Sequence, residues 1–401
     1  MITPRTALSR ILANVIELDS ESVPIAEAVG RVLAKNLRAC ADLPGFDNSA
    51  MDGYAVRAAD CAPGASRPLK VLATARAGAV SSARVGRGEA VKIMTGAPLP
   101  RGADAVVMKE FTAPGPDGTV RILRTPRRGD HIRPRGEDVR RGARLLKKGV
   151  RLRPYEIALL AAQGIARVQV IRAPRVAILA TGDELVSGSG RLGAGKIRNS
   201  NGPASAAALT RWGARVVISR VVRDDPASLR SAVRAALSRA DLVLVTGGVS
   251  VGDFDYTQAV LKSIGARIVF WKVGMKPGKP LLLGLHSGKP IFGLPGNPVA
   301  VMVCIEEFVR PALETLQGHA PGHASYHLAG TADNAYPKPG DRQQYLFCRA
   351  RTSGDGYRLT IIRPQGSAML AMACTANALA VAPIGVRRVM PGDRLAFRWL
   401  K

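Results

Sequence analysis

Residues 241–280 constrain the fold of this chain more than any other segment. The segment begins with a short apolar run at 241–246, which ends at a pair of glycines. Because aliphatic and β-branched residues fill the run and glycines close it, the pattern predicts a buried strand that turns at its carboxyl end. Asp253 and Asp255 follow the turn, and three spaced lysines follow a predicted helix. A site that combines carboxylates and lysines is therefore expected at the end of this strand.

The pattern of strand and helix repeats on both sides of this segment. The predicted strands are 175–180, 214–222, 241–246 and 291–294, and the predicted helices are 202–212, 226–238 and 299–316. Regular alternation of this kind is typical of a doubly wound, mostly parallel sheet with helices on both faces. We predict one three-layer α/β domain from about residue 174 to about residue 317.

The loops that end these strands are the expected binding loops. In open α/β sheets, ligands bind outside the carboxyl ends of the strands. After the predicted strand 291–294, Asn297 suits the N-cap of a helix and Pro298 suits its first position. The first N–H groups of a helix have no partner within it and favour anions. We therefore expect an anion cradle at this helix mouth.

The formal net charge of +28 raises the question of nucleic-acid binding, since neutralisation of phosphates drives non-specific affinity. Aromatic residues make up 4% of the chain, so platforms on which bases stack between basic residues are not found. The densest basic segment, 121–153, is interpreted as a solvated face, with a polyanion patch as the alternative. Nucleic acid is not the expected partner.

The cysteines and the hydropathy pattern indicate a compartment. Five cysteines show neither CxxC nor zinc-ligand spacing, as expected of a protein in a reducing environment. The N-terminal segment has no continuous apolar core of a signal peptide, and no run has the length that spans a membrane. We expect a cytoplasmic protein without membrane contact.

The segments that flank the predicted α/β domain have different patterns. Residues 6–18 have helical periodicity, a short helix and turn are expected at 25–33, and residues 154–164 return to helix. Between them, short alternating runs divided by glycine and proline predict an all-β insertion. Residues 317–322 are interpreted as a linker before a small β domain. The strand-like runs are 91–95, 105–109, 345–349, 357–362, 378–382 and 394–399.

Eight longer motifs follow one another along the chain. They are PGFDNSAMDGYAV at 44–56, IMTGAPLPRGADAVVMKE at 93–110, RPRGEDVRRG at 133–142, ATGDEL at 180–185, IRNSNGP at 197–203, TGGVSVGDFDYT at 246–257, KPGKP at 276–280 and GLPGNPVA at 293–300. Together they resemble the molybdopterin molybdenumtransferase family, which includes the bacterial MoeA proteins and the E domain of gephyrin. The resemblance covers nearly the full length, and every motif falls in the family's order.

The resemblance implies a multidomain fold of the α/β plus β class. Its parts are a discontinuous elongated helical domain at 1–45 and 147–173, a β insertion domain at 46–146, a molybdopterin-binding-like doubly wound, mostly parallel α/β domain at 174–317 and a C-terminal β-barrel domain at 318–401. It also implies a homodimer, with the active cleft between the α/β domain of one subunit and the β insertion of the other. Such a cleft explains why loops far apart in sequence both have the character of site loops.

The reaction implied by the resemblance is insertion of molybdate into adenylylated molybdopterin, with release of AMP and formation of molybdenum cofactor. The substrates are anions, so lysines are suited to hold them. The phosphoanhydride calls for a divalent ion such as Mg²⁺, which carboxylates on the strand-end loops are able to hold. Molybdopterin adenylyltransferase and molybdoenzyme acceptors are the further partners that the resemblance suggests.

The candidate residues fall into three groups. We interpret as catalytic Asp52, Thr95, Glu184, Asp225, Asp255, Lys272 and Lys276, which match functional positions of the family. The expected substrate-binding residues are Arg133, Asp138, Gly247, Gly248, Ser250, Lys279, Pro295, Asn297, Pro298, Arg342 and Ser367. The carboxylates expected to hold the divalent ion are Asp183, Glu184, Asp225 and Asp255, whereas Asp253 is expected to be structural.

Simpler interpretations remain open for several of these residues. Asp52 is able to cap a turn with Gly53, and the acids at 183–184 suit the first turn of a helix. Asp225 is a possible N-cap for the helix that follows it. Lys272, after two aromatic residues, has the pattern of a surface lysine that lies along an apolar stem.

Two other functions are compatible with part of the sequence. The α/β domain alone resembles molybdopterin adenylyltransferase, but that activity needs only the central module, and here the flanking domains carry motifs of their own. A non-enzymatic scaffold or a basic nucleic-acid-binding protein is the second alternative, which salt-sensitive binding without catalysis would favour.

Overall fold

The computed structural model describes residues 1–61, 67–248, 256–319, 326–337, 340–354 and 356–400 of the 401-residue chain. Within these residues, the chain forms an α/β unit, a β insertion and a C-terminal β-barrel. The expected α/β plus β class is thereby confirmed. None of the helices described here has the length and apolar character needed to cross a membrane.

The N-terminal segment starts with a capped helix. Its elements are α1 (Pro4–Leu12), β1 (Ser20–Pro24), a 3₁₀ turn (Ile25–Glu27) and β2 (Leu37–Arg38). The Thr3 hydroxyl accepts a hydrogen bond from the Thr6 N–H at 3.1 Å, and Pro4 occupies the first position of the helix. The helix is shorter than the periodicity at 6–18 predicts. Its buried residues Ala7 and Ile11 pack into the core of the α/β unit.

The elements of the β insertion and of the segment that follows it are β3 (Asn48–Ser49), β4 (Gly53–Val56), a 3₁₀ turn (Ala58–Cys61), β5 (Leu69–Ala75), β6 (Glu89–Ile93), β7 (Ala105–Met108), a 3₁₀ turn (Lys109–Phe111), β8 (Thr112–Pro114), β9 (Thr119–Ile122), β10 (Ile132–Arg133) and β11 (Arg144–Leu146). Six of the strands form a sheet in the order β7-β4-β6-β5-β9-β8. Strands β4 and β7 approach so closely that a Cβ on Gly53 would lie 1.9 Å from the Val107 carbonyl oxygen, so a side chain at position 53 would clash with the neighbouring backbone.

The chain then returns to the N-terminal segment through α2 (Pro154–Ala162) and β12 (Arg167–Ile171). Strand β12 pairs antiparallel with β1, and β11 pairs antiparallel with β2. These pairings join the two separated segments around a small apolar core that includes Leu33, Leu152 and Leu160. Two β-ribbons and one helix build this region, whereas a mainly helical domain was expected. The alternating valines of β12 bury one face of the ribbon, which a helix could not do with the same pattern.

The elements of the α/β unit are β13 (Arg175–Thr181), β14 (Leu185–Val186), β15 (Ile197–Arg198), α3 (Asn201–Arg211), β16 (Arg215–Val222), α4 (Pro226–Arg239), β17 (Leu242–Thr246), α5 (Thr257–Ser263), β18 (Arg267–Trp271), β19 (Met275–Lys276), β20 (Leu282–His286), β21 (Lys289–Leu294), α6 (Pro298–Cys304), a π-helical turn (Ile305–Val309) and α7 (Arg310–Leu316). Six of the strands form a sheet in the order β16-β13-β17-β21-β20-β18. Within this sheet β20 runs antiparallel to its two neighbours and the other five strands share one direction, which confirms the predicted doubly wound, mostly parallel sheet.

Strand β17 is buried on both faces, as its unbroken apolar run predicts. Leu242 and Leu244 belong to the core beneath α6 and α7, and Val243 and Val245 belong to the core beneath α4 and α5. Side chains of a strand alternate between its faces, so every residue of the run has an apolar partner. The sheet is thus the middle of three layers.

The long helix predicted at 299–316 is interrupted by the π-helical turn between α6 and α7. Gln317 ends it and is buried, with its side-chain amide donating to the carbonyl oxygens of Trp212 at 2.9 Å and Leu313 at 3.1 Å. The interpretation of Gln317 as the start of a linker is therefore wrong, because its side chain completes the packing of the helix end.

The C-terminal unit is a closed barrel. Its elements are β22 (Leu328–Ala332), β23 (Tyr336–Pro337), β24 (Gln343–Ser353), β25 (Gly356–Ile361), α8 (Leu370–Cys374), β26 (Ala378–Ala382), β27 (Arg388–Val389) and β28 (Arg394–Trp399). Strands β24, β25, β22, β28 and β26 pair in that order, and β26 pairs again with β24. Strand β19 of the α/β unit joins this sheet in parallel with β24, so the two units share a sheet edge.

Candidate functional site

A cavity of about 360 Å³ lies at the junction of the α/β unit and the barrel. Its walls come from the segment 275–280, the loop that follows β21, strand β24 and the loop that precedes α8. The lining residues are Met275, Lys276, Pro277, Gly278, Lys279, Pro280, Pro295, Gly296, Asn297, Val299, Ala300, Arg342, Gln344, Tyr345, Phe347, Gln365, Gly366, Ser367 and Met372. The cavity thus brings together six of the predicted site residues, from parts of the chain that are nearly one hundred residues apart.

Three cationic side chains line this cavity, and no carboxylate stands among the described lining residues. Lys276 lies on β19, whose pairing with β24 places it opposite Gln344. Lys279 follows on the same segment, and Arg342 precedes β24. The Arg342 Nε lies 3.2 Å from a carboxylate oxygen of Asp341, so part of its charge is balanced. The remaining charge suits an anionic ligand.

The mouth of α6 has a different environment from the one expected. Asn297 occupies the cap position, but its side chain makes no capping hydrogen bond. The Ser367 carbonyl oxygen instead accepts from the N–H groups of Val299 at 2.9 Å and Ala300 at 3.4 Å. Asn297 donates its amide to the Ser367 hydroxyl at 2.9 Å. The expected anion cradle is therefore closed by a loop of the barrel, and Pro298 merely begins the helix.

The loop that carries Ser367 is held by Gln365. The Gln365 side-chain oxygen accepts from the Phe347 N–H at 3.0 Å, and its amide donates to the carbonyl oxygens of Phe347 at 2.9 Å and Ile362 at 2.8 Å. The two bonds to Phe347 fix the loop to β24, and the third fixes it to the residue that follows Ile361. The barrel therefore holds the loop that places Ser367 in the cavity.

The carboxyl ends of β13 and β17 meet at a glycine turn. Gly247 has a φ of +92°, and a Cβ there would lie 2.6 Å from the Thr181 carbonyl oxygen, so a side chain would clash with β13. A Cβ on Gly248 would lie 3.9 Å from a carboxylate oxygen of Asp224. The Asp183 carboxylate accepts from the Asp224 N–H at 3.2 Å. Asp183 and Asp224 therefore lie together beside the turn.

Asp225 has the capping role that the sequence left open. Its side chain accepts from the Ser228 N–H at 2.8 Å and caps α4. That N–H and the Ser228 hydroxyl lower the pKa of Asp225 below its ordinary value. Glu184 folds back toward Gly182, where both of its carboxylate oxygens would lie 2.6 Å from a Cβ. Sequence reasoning named Asp225 and missed its neighbour Asp224, which lies closer to the glycine turn.

The expected divalent-ion ligands do not form a complete set within the described residues. No group of three His, Cys, Asp or Glu side chains there is arranged to hold a metal ion. The Asp225 carboxylate is already engaged as a helix cap. Ser250, Asp253 and Asp255 lie outside the described residues.

Lys272 lies apart from the other cations. It has a φ of +69°, and its ammonium group stands 3.8 Å from the centroid of the Trp271 ring. A cation at this distance from an indole face is stabilised by the ring's electrons. Lys272 is absent from the described lining of the cavity, so the geometry gives it a different environment from Lys276.

Asp52 and Thr95 form a hydrogen-bonded pair at the surface of the β insertion. The Asp52 carboxylate accepts from the Thr95 N–H at 2.7 Å and from the Thr95 hydroxyl at 2.8 Å. These bonds lower the pKa of Asp52, the backbone bond most strongly. Both residues are exposed. The pair presents a carboxylate that stays charged and has a fixed orientation.

Arg133 and Asp138 belong to a segment that pairs with the residues preceding Asp52. Arg133 on β10 pairs with Asn48 on β3, four residues before Asp52. The Asp138 N–H donates to the Leu43 carbonyl oxygen at 3.0 Å. Both side chains are exposed. The motifs at 44–56 and 133–142 therefore form one surface, although ninety residues separate them.

Sequence reasoning also missed three polar or aromatic residues of the cavity wall. Gln344 and Tyr345 are buried on β24, and Gln365 holds the loop with Ser367. The run 345–349 predicts a strand, but the pattern of a strand does not tell which of its faces meets a neighbouring unit. The Gln344–Lys276 pairing is a contact between units that local sequence does not encode.

Comparison with known proteins gives consistent matches along the chain. The family description "MoeA N-terminal region (domain I and II)" matches residues 2–164, "Probable molybdopterin binding domain" matches 177–315, and "MoeA C-terminal region (domain IV)" matches 329–398. A molybdopterin molybdenumtransferase of Staphylococcus epidermidis is 36% identical over 399 residues, which cover 98% of this chain and 94% of that protein. One of Staphylococcus aureus is 41% identical over 320 residues, covering 79% and 76%.

A solved structure shows the same arrangement. The molybdopterin biosynthesis MoeA protein of Pyrococcus horikoshii superposes with a TM-score of 0.82 at 29% identity, and the superposition covers 100% of both chains. The similarity therefore extends to the flanking units as well as the α/β unit.

Proposed function

The chain belongs to the molybdopterin molybdenumtransferase family, the MoeA proteins, and from this we propose that it inserts molybdenum into molybdopterin during molybdenum cofactor biosynthesis. We further propose that its substrates are molybdate and adenylylated molybdopterin and that AMP is released. The observation that carries the proposal for this chain is the cationic cavity between the α/β unit and the barrel. Its charge fits substrates whose molybdate, phosphate and diphosphate groups are all anionic.

The cavity residues suit binding and orientation. Lys276, Lys279 and Arg342 supply charged donors for phosphate or molybdate oxygens. Such donors, held in place before the substrate arrives, stabilise charge that develops on the departing phosphate. The dithiolene sulfurs that receive the metal belong to the substrate. Accordingly, the buried thiols of Cys304 and Cys348 have no role in the proposed reaction, and burial raises the pKa of Cys348 to about 12.

The second half of the proposed site is the exposed surface with Asp52, Thr95, Arg133 and Asp138. The described lining of the cavity includes no residue of the β insertion. We propose that the chain forms a homodimer in which this surface closes the cavity of the partner. The orienting bonds from Thr95 would then hold the Asp52 carboxylate toward the substrate.

A divalent ion, Mg²⁺ as the first candidate, remains part of the proposal. It would neutralise the phosphoanhydride, and Asp183 and Asp224 beside the glycine turn are the described acids best placed to contribute oxygen ligands. Isothermal titration of the full chain with Mg²⁺, beside Asp183→Asn, tests this directly. Equal binding by both proteins would exclude Asp183 as a ligand. Contacts with molybdopterin adenylyltransferase and with molybdoenzymes, and a cytoplasmic location, remain predictions.

The proposed function is tested by AMP release from adenylylated molybdopterin. The purified protein is assayed with Mg²⁺, with and without molybdate, and Lys276→Ala serves as the cavity variant. Release that depends on molybdate and is weakened in the variant supports the proposal. No release from a well-folded protein would contradict it and favour a non-enzymatic role. Transfer of the adenylyl group from ATP to molybdopterin, with release of pyrophosphate and without release of AMP, would indicate the adenylyltransferase alternative.

A further inference from the structure

A buried ionic network joins the barrel to the helix that begins at the cavity. Arg398 on β28 is 8% exposed and reaches across to the π-helical turn. Its guanidinium donates to Glu307 at 2.9 Å and lies 3.3 Å from Glu306. Glu306 also lies 3.7 Å from Arg310, which donates to Glu314 at 2.8 Å. Acids of the helix thus hold an arginine of the barrel.

This network continues to the cavity wall through two tyrosines. The Tyr326 hydroxyl donates to Glu307 at 2.8 Å, and the Arg398 guanidinium lies 5.7 Å from the centre of the Tyr326 ring. The rings of Tyr326 and Tyr345 are 6.2 Å apart. Burial first, and then the charge of Glu307, raise the pKa of Tyr345 well above its ordinary value. Tyr345 lines the cavity, so the network has one end at its wall.

The network acts on the same two bodies that form the cavity. Strand β24 carries Tyr345 and pairs with the strand of Lys276. Arg398 contacts the π-helical turn that continues α6, and Asn297 of the cavity wall is the N-cap of α6. The barrel contacts this helix again at its mouth, where Ser367 accepts from Val299 and Ala300. If the ionic contact were lost, the barrel would keep its own closed sheet but would have one fewer anchor on the helix. Arg342 and Ser367 would then be less firmly held over Lys276.

From these contacts we propose that Arg398, with Glu306 and Glu307, is a positioning element that fixes the barrel over the α/β unit and thereby sets substrate affinity at the cavity. The proposal rests on the proposed function, because the substrate is the one named above. Arg398 does not touch the cavity itself. Its effect is transmitted through β28, Glu307 and Tyr345.

The experiment separates positioning from plain stability. Arg398→Met alone leaves the buried Glu307 without a cationic partner and leaves Glu306 only its longer contact with Arg310, and an unpaired buried charge destabilises a fold strongly. The neutralised variant Arg398→Met/Glu306→Gln/Glu307→Gln removes the unpaired charge and is the informative protein. Arg358→Met is the matched control, since Arg358 pairs with Asp333 at 2.6 Å on the barrel alone. KM for adenylylated molybdopterin, kcat and the unfolding temperature are measured for each.

We expect the neutralised variant to unfold near the wild-type temperature with KM raised about tenfold and kcat changed less than about twofold. Arg398→Lys should restore part of the affinity, and Arg358→Met should leave KM unchanged. A neutralised variant with wild-type KM would overturn the proposal. If it does not fold, Tyr326→Phe, which loses one bond to Glu307, decides in the same way with a KM increase of about twofold to threefold.

A second measurement does not depend on activity. The first N–H groups of a helix lack partners within it, so slow hydrogen exchange at Val299 and Ala300 reports the contact with Ser367. Exchange at these two amides should be at least about tenfold faster in the neutralised variant, with Val243 in the sheet centre unchanged. Unchanged exchange at both amides would contradict the positioning role. If wild-type protein releases no AMP, the proposed function fails, and the exchange result still decides the role of Arg398.

Discussion

The two halves of the proposed site differ in how they are held. The cavity wall is built from two units of one chain, with Lys276 in a strand that pairs with the barrel and Ser367 bonded to a helix of the α/β unit. The insertion surface carries its Asp52–Thr95 pair at an exposed loop. In the proposed homodimer, the cavity binds the substrate and the insertion surface of the second copy completes the site.

The difference is also visible in the charges. The described cavity wall has cations and no carboxylate, whereas Asp52 on the insertion has its negative charge stabilised by Thr95. The described cavity wall by itself supplies cationic donors and no carboxylate. A carboxylate brought from the second copy would change the electrostatics at the reacting groups.

Asp52→Ala should have the largest effect among single substitutions. We expect kcat/KM for AMP release to fall by about a hundredfold or more, because the proposed shared site would lose its oriented carboxylate. Thr95→Val, which removes the hydroxyl donor but keeps the N–H bond to Asp52, should have a smaller effect. Steady-state kinetics on both variants test the comparison. Equal, small effects would show that the insertion surface takes no part in the reaction.

Lys276→Ala should have the next largest effect. Loss of one charged donor in the cavity should raise KM about tenfold, since a charge-assisted hydrogen bond contributes roughly 1.5–3 kcal/mol. Lys272→Ala is the matched control, because its ammonium lies over Trp271 and it does not line the described cavity. The same assay ranks the two lysines. A larger effect at Lys272 would place the binding site elsewhere.

The smallest expected effect is a loss of folding free energy when an ion pair is removed from the α/β unit or from the neighbourhood of the insertion. Asp241 in the α/β unit accepts from Arg172 at 2.6 and 2.7 Å and is buried. Burial opposes the charge, but the bonds from Arg172 and Arg175 lower the pKa of Asp241 below its ordinary 3.8. Asp241→Asn should cost roughly 1–3 kcal/mol at pH 7. Asp42→Asn, just before the insertion, where the partner Arg135 is exposed, should cost less.

The stability difference between wild type and Asp241→Asn should become smaller as the pH falls. Because the folded pKa of Asp241 is lowered, its stabilising contribution is complete above 3.8 and is lost as pH falls through the folded pKa. Wild type and Asp241→Asn should therefore converge in stability in strongly acidic solution. Urea unfolding at pH 7 and near pH 3 checks this. A difference that grows on acidification would contradict the assigned ion pair.

Much of the central fold follows from the sequence, because its signals are local. The helix Asn201–Arg211 and the strand Leu242–Thr246 lie within one or two residues of their predicted bounds. Burial on both faces requires the unbroken apolar run of β17, and such runs are visible in the sequence.

The closure of the helix mouth was not visible in this way. Ser367 lies about seventy residues beyond the helix that it caps, so no local sequence pattern predicts this contact. The network of Arg398 was missed for the same reason, since 91 residues separate Arg398 from Glu307 on the π-helical turn. Asp225 shows the opposite case, where a local rule correctly offered a cap. Contacts between units, which determine the shape of the cavity, are the part that sequence patterns leave open.

The most direct test of the account is complementation between two impaired variants, assayed at substrate concentrations well below KM. Asp52→Ala and Lys276→Ala are co-expressed, and mixed dimers contain one site with both residues intact. If the site is shared between subunits, random assortment should restore about a quarter of the wild-type AMP release. If both residues act within one chain, the mixture should release no more AMP than the two variants assayed separately, and the shared site would be refuted.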